Sequence, residues 1–248
     1  MALLEVRNLA KRFGRVDAVS DVSFTLDAGE AIGLIGDNGA GKSTLVKMLS
    51  GVHRPSGGSI LLEGRDVRFA SPLAARASGV EIIHQDLALA PDLDVAANIF
   101  LGREPRRRFG PFRFLDRKGM AKKAAEVMVA LGSHVPPDRL VGEMSGGERQ
   151  LVAAARALEF QPRVLLLDEP TAALSTDKIR VLMGLVEELK SRGVAIVLIS
   201  HRFTDVLHVC DRVVVLRRGE VAGELVPKGE TSERMMAKMH QMMTGVSA

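Results

Sequence analysis

Gly36-Asp37-Asn38-Gly39-Ala40-Gly41-Lys42-Ser43, followed by Thr44, is the stretch that decides how this chain folds. A glycine, four residues and then Gly-Lys-Ser is the pattern of a phosphate-binding loop. Its glycines let successive backbone N–H groups turn inward around phosphates, and the helix that follows presents its positive end. Lys42 then reaches the β- and γ-phosphates of a nucleotide, and the Ser43 hydroxyl binds Mg²⁺. The flanks agree: Ala31 to Ile35 is a short apolar run suited to a strand, and Lys42 to Ser50 suits a helix. An ordinary flexible glycine turn has no need of that strand–loop–helix frame.

Outward from the loop, Leu3 to Leu9 and Val19 to Leu26 alternate apolar and polar residues, as a half-buried antiparallel sheet requires. Gly57, Gly58 and Gly64 punctuate a further hairpin through Ser59 to Leu62. From about Leu87 to Phe160 β-branched runs are scarce, and Met120 to Leu131 and Glu148 to Leu158 have helical character. The strand pattern returns at Val164 to Leu167 and Ala195 to Ile199, continuous apolar runs of the kind found in buried parallel strands. Lys178 to Lys190 is a helix between them, and Val213 to Leu216 and Val221 to Leu225 are expected to close the sheet. The chain is therefore an α/β nucleotide-binding protein, with a core of about 1–86 and 161–248 and a helical subdomain of about 87–160.

Arg163-Val-Leu-Leu-Leu-Asp168-Glu169 delivers two carboxylates at the C-terminal end of an apolar strand, where open α/β sheets bind ligands. Asp168 would hold Mg²⁺, directly or through water, and Glu169 would polarise an attacking water as general base. Met144-Ser-Gly-Gly-Glu-Arg-Gln150 stands directly before the alanine-rich helix. Ser145, Gly146 and Gly147 there make a second anion site, separate in sequence from the loop.

With these motifs in this order the chain resembles the ABC ATPases over nearly its whole length. The resemblance implies a P-loop NTPase with a RecA-like core, an N-terminal antiparallel β subdomain and an inserted α-helical subdomain. ATP would be held by Gly36 to Thr44, with Phe13 stacked on adenine. Ser145, Gly146 and Gly147 would be the signature that closes on the ATP of a second copy in a head-to-tail dimer formed on ATP binding. Gln85 matches the Q-loop glutamine and would join Ser43 and Asp168 at Mg²⁺. His201 matches the switch histidine that contacts the γ-phosphate, and Ala172 to Ser175 match the D-loop. Glu169, His201 and Lys42 would be the catalytic residues. Three departures stand out: Glu148 where glutamine is common, Ser175 where aspartate is common, and Phe13 in place of tyrosine.

Within the family, Gly36 to Thr44, His84 to Asp86, Ala97 to Glu104 and Glu169 to Ser175 look like the monosaccharide-import branch. That branch implies ATP hydrolysis coupled to permease subunits in the membrane and, indirectly, to an extracytoplasmic sugar-binding protein. Its members often carry two cassettes in one chain; this chain has one set of motifs and would pair with itself. The alternative is a soluble member acting on ribosomes or nucleic acid. The basic stretch Arg103 to Lys123, interleaved with Phe109, Phe112 and Phe114, is the feature that favours it. A solvated basic loop beside the helical subdomain is the plainer account, so no direct nucleic-acid contact is expected.

Composition sets the outer bounds. The 248 residues are 46% hydrophobic and 26% charged with a net charge of +4, which excludes a disordered or fibrous chain. A single cysteine, Cys210, rules out an intrachain disulfide and is expected to be a small buried apolar residue. Neither a signal peptide nor an uncharged run of about 20 residues is present. The expected location is peripheral, on the cytoplasmic face of the inner membrane and held there by a partner. Met235, Met236, Met239, Met242 and Met243 recur at helical spacing, as in a C-terminal helix packed on the core or on a dimer partner.

Overall fold

The structure, a computed structural model, describes residues 2–83, 89–109, 112–160, 162–171, 175–200 and 202–245. β1 (Leu4–Phe13) and β2 (Val16–Leu26) open the chain. β3 (Ala31–Gly36) and α1 (Lys42–Leu49) flank the glycine loop. β4 (Gly57–Leu62), β5 (Arg65–Val67), α2 (Pro72–Ala77) and β6 (Val80–Ile83) follow. The middle carries α3 (Val95–Phe100), β7 (Arg106–Phe109), β8 (Phe112–Leu115), α4 (Arg117–Ala130) and α5 (Gly146–Glu159). Last come β9 (Val164–Asp168), α6 (Thr176–Ser191), β10 (Ala195–Ile199), α7 (Phe203–Val209), β11 (Arg212–Arg217), β12 (Glu220–Leu225) and α8 (Ser232–Thr244). The chain forms two compact units, Met1–Ile82 with Pro162–Pro170 and Val186–Ala248, and Ile83–Gln161 with Thr171–Leu185.

The first unit is built on a ten-stranded sheet ordered β5-β4-β1-β2-β12-β11-β3-β10-β9-β6. β1 pairs antiparallel with β2 and β4, and its inward residues Leu4, Val6 and Leu9 are buried. β3 runs parallel to both β10 and β11, and β10 runs parallel to β9. Ala31 to Ile35 and Ala195 to Ile199 are buried at every position, so these strands carry no polar alternation. Each fully buried Ile or Leu among them stabilises the fold by about 1.5–3 kcal/mol. The strands of Val213 to Leu216 and Val221 to Leu225 do not close the sheet as the sequence suggested; β11 and β12 stand in its middle. β12 touches β2 at Glu220–Asp21, which joins the antiparallel strands to the parallel set. α7 lies so close to β3 that a Cβ on Gly33 would come within 2.2 Å of Val206. The methionine helix α8 packs on β11 and β12, with Met235, Met239 and Met243 buried. Cys210 is buried as well, and burial pushes its thiol far up from the ordinary range.

The second unit gathers α3, α4 and α5 around a buried polar hub. Asn98 is 0% exposed, and its amide donates to the carbonyls of Ala90, Leu93 and Asp94 at 2.9, 3.1 and 3.0 Å. Its Oδ1 accepts from the Ala90 N–H at 2.8 Å, and Arg156 on α5 donates to its backbone carbonyl at 2.8 Å. The basic stretch departs from the expected solvated loop: β7 and β8 pair antiparallel, Arg106 opposite Leu115 and Arg107 opposite Phe114. Arg107 opposite Phe114 and the contact of Phe112 with Phe114 support this ribbon, while Arg108 opposite Arg113 works against it, and it lacks the β-branched residues by which strands are usually recognised.

Candidate functional site

The glycine loop has the shape its residues allow. Gly39 and Gly41 have φ of 81° and 105°, values at which a side chain strains the backbone. A Cβ on Gly41 would lie 2.7 Å from the Ala18 carbonyl, and one on Gly36 would lie 2.3 Å from that of Leu216. The Gly219 N–H donates to Ala40 O at 3.0 Å, which ties the loop to the turn between β11 and β12. Ala40 is buried in the core, whereas Asp37, Asn38, Gly39 and Ser43 are exposed and Thr44 is half-buried. No side chain caps the start of α1. That helix end therefore keeps its positive pole for an external anion.

Lys42 is 9% exposed, and its ammonium donates to Gly36 O at 2.6 Å and to Asp37 O at 3.0 Å. Burial pushes Lys42 below the ordinary lysine value, while the carboxylates of Glu169, Asp37 and Asp168 pull it back up. Those carboxylates arrive by register. Leu34, Ile199 and Asp168 lie side by side across β3, β10 and β9. Two strand spacings of about 4.8 Å thus separate Asp168 from the strand that feeds the loop. Glu169 comes next, 8% exposed, with φ of 53° in the left-handed region that residues with a Cβ rarely adopt. Its N–H donates to Ile199 O at 2.9 Å, which fixes the turn leaving the sheet. Oxygen donors from Ser43 and Asp168 at this edge suit a hard cation such as Mg²⁺, which takes few protein ligands and completes its shell with phosphate and water.

Phe13 ends β1 and is 44% exposed, edge-on to His53 with centroids 5.2 Å apart and with the Lys11 ammonium 5.0 Å from its ring centre. In the second unit, Ser145 caps α5 and Gly146 and Gly147 form its first turn. Ser145 Oγ accepts from the Glu148 N–H at 3.3 Å, and the Glu148 carboxylate accepts from the Ser145 N–H at 2.8 Å and from Arg139 at 2.9 Å. The bonds from the Ser145 N–H and hydroxyl, with Arg139 beside them, hold the Glu148 carboxyl below the usual range. Glu148 is a capping residue that the motif reading passed over, although Ser-x-x-Glu before an apolar run carries that signal. Arg139 had no signal in the sequence. The site residues Gln85 and His201, and Ala172 to Leu174 of the D-loop match, lie outside the described residues; Ser175 is exposed just before α6.

Residues 19–172 match the family model described as ABC transporter. The chain belongs to the ABC transporter family. Among its relatives, the ribose import ATP-binding protein RbsA 1 of Burkholderia ambifaria is 45% identical over 96% of this chain and 46% of its own length. The protein of the same name from Streptomyces coelicolor is 43% identical over the same shares. This ABC chain thus spans about half the length of the curated relatives it matches. The crystal structure of a nucleotide-free ATP-binding cassette from an ABC transporter superposes with a TM-score of 0.83 at 26% identity, covering 100% of both chains. The ADP conformation of another such cassette gives 0.80 at 26% identity over 99% of this chain and 100% of that one. The ABC cassette fold is therefore the P-loop architecture that the glycine loop implied. Among the described residues no helix is long and apolar enough to cross a membrane.

Proposed function

We propose that this chain is an ATP-binding and hydrolysing subunit that energises import of a small sugar, ribose or a related monosaccharide, through separate permease subunits. The observation that carries the reading is the buried Lys42 ammonium, held at the sheet edge under the fields of Asp168 and Glu169 beside an uncapped helix start. The names of the relatives supply the cargo class. In this reading the loop N–H groups and Lys42 bind the β- and γ-phosphates, with Lys42 exchanging its carbonyl partners for phosphate oxygens. Ser43 and Asp168, joined by Gln85, hold Mg²⁺, which when bound neutralises phosphate charge. Phe13 stacks on adenine. Glu169 takes the proton of the attacking water, and His201 orients it at the γ-phosphate. The Ser145-Gly146-Gly147 face closes over the ATP of a second copy. The subunit works on the cytoplasmic face of the inner membrane, and an extracytoplasmic binding protein delivers the sugar.

Glu169→Gln keeps the size of the side chain and removes the base. Turnover of ATP should fall by about 10²–10⁴-fold while ATP binding survives. Trapped with ATP, the tagged variant should bring a polytopic permease out of solubilised membranes. Near-normal hydrolysis would remove Glu169 from its role. Recovery of ribosomal or nucleic-acid-bound proteins without a permease would overturn the import reading.

A further inference from the structure

The β7–β8 ribbon is the part of the molecule that the nucleotide chemistry does not use. Residues 103–123 hold nine Lys and Arg against two acids, Glu104 and Asp116, whereas the whole chain holds 34 basic and 30 acidic residues. The other 227 residues therefore carry 25 basic and 28 acidic groups, so the positive charge of the protein is concentrated in this one segment.

Register sorts the segment into two faces. Residues directly opposite one another in an antiparallel pair share a face. Arg106 with Leu115 and Arg108 with Arg113 fall on one face, and Arg107 with Phe114 falls on the other, which Phe112 shares. The first face thus presents three exposed arginines. On the second, Phe112 and Phe114 are 65% and 57% exposed, with ring centroids 6.3 Å apart. Arg107 lies on that face too, but its guanidinium is paired with Asp116 at 2.7 Å. The aromatic face therefore carries no net charge, and the arginine face is strongly cationic. Glu104 lies in the field of Arg106 and accepts from the Gly102 N–H at 3.0 Å.

An uncharged aromatic face backed by a cationic one is the pattern of an element that lies in a membrane interface. The rings enter the boundary between headgroups and acyl chains, and long basic side chains reach the phosphates from the polar side. Single-stranded nucleic acid asks for something else, rings and cations interleaved on one surface so that bases stack while phosphates are neutralised. Here the rings pack at 55° to each other and the three arginines sit on the far side. We propose that the β7–β8 ribbon is a docking surface for an anionic lipid bilayer, with Phe112 and Phe114 entering the interface and Arg106, Arg108 and Arg113 engaging lipid phosphates.

The chain contains no tryptophan, so Phe112→Trp places a single reporter at the tip of the proposed surface. The full chain is titrated with vesicles of phosphatidylcholine alone and of phosphatidylcholine with phosphatidylglycerol, at low and at physiological salt. Binding to the anionic vesicles, a blue shift of the tryptophan emission on binding, and weakening by salt are expected. Each basic residue near such a surface strengthens binding by about fivefold, so the triple variant Arg106→Gln, Arg108→Gln, Arg113→Gln should lose about 100-fold in partitioning. All three side chains are exposed, and an unchanged melting temperature verifies that the variant is folded. Equal affinity for neutral and anionic vesicles, an unshifted emission, or full binding by the folded triple variant would each overturn the proposal. Tighter binding of a single-stranded oligonucleotide than of anionic vesicles at physiological salt would assign the ribbon to nucleic acid instead.

Discussion

Alanine at Gly41 and at Gly39 should have very different consequences, although both positions belong to the same loop and both have positive φ. Gly39 has φ of 81° and nothing within 4 Å of an added Cβ. Alanine there meets only the left-handed backbone cost of about 1–2 kcal/mol, part of which is offset because alanine restricts the unfolded chain by about 0.4–1 kcal/mol. Gly41 has φ of 105°, and its Cβ would sit 2.7 Å from Ala18 O and 3.3 Å from Val19 Cγ2. That oxygen belongs to the backbone of β2 and cannot swing aside, so about 1–3 kcal/mol of overpacking adds to about 2–3 kcal/mol of backbone strain. At the middle of each range, with the unfolded-chain offset applied to both, the totals are about 1 kcal/mol for Gly39→Ala and about 4 kcal/mol for Gly41→Ala. At about 3 °C per kcal/mol for a chain of this size, Gly41→Ala should melt about 12 °C below the parent and Gly39→Ala about 3 °C below it. Thermal unfolding followed by circular dichroism, with a titration of a fluorescent ATP analogue, measures both. Gly41→Ala should also lose ATP binding, because the backbone that carries the Lys42 and Ser43 N–H groups must shift. Equal melting temperatures for the two variants would refute the claim that contact with β2 sets the shape of the loop.

Asn98→Ala strands several polar groups in the second unit and should cost about 3 kcal/mol, read as a lower urea midpoint; a loss under about 1 kcal/mol would contradict the hub. ATP affinity should fall with rising pH before the ordinary lysine value is reached. Bound phosphates raise the depressed Lys42 pKa, so the complex holds more proton than the free protein, and alkali removes it. Calorimetry in buffers of different ionisation enthalpy should detect that proton uptake, and Lys42→Met should abolish it. Glu148→Gln tests the cap of α5. The folded carboxyl is held below its usual value, so its contribution is present above the unfolded value of about 4.3 and disappears as pH falls through the lower folded one. Parent and variant should therefore converge in melting temperature in acid and differ near neutrality.

Much of the fold was legible because burial leaves a periodic trace. Ala195–Ile199 was expected as a buried parallel strand and is one, and the residues around the glycine loop form strand and helix within a residue or two of expectation. Elements with little local pattern escaped. α2, α3 and α7 have six or seven residues each, too few for helical periodicity to show. The β7–β8 ribbon escaped because arginine and phenylalanine in alternation resemble a solvated basic loop until a partner strand supplies the pairing.

By itself the sequence determined the chemistry at hand: a loop that only glycines can form, a lysine and a serine following it, and two carboxylates at a strand end. These are properties of residue type and spacing, and they survive without coordinates. Tertiary structure alone decided what state those groups are in. Lys42 lies under the fields of Asp168 and Glu169 because β3, β9 and β10 stand in one register. Glu169 is held in a left-handed turn by the Ile199 carbonyl of a neighbouring strand. Arg106, Arg108 and Arg113 fall on one face of the ribbon, and Phe112 and Phe114 on the other, by the register of β7 on β8. The first two depend on residues far apart in the chain, and a sheet brings them together through backbone hydrogen bonds whose register no local stretch of sequence specifies.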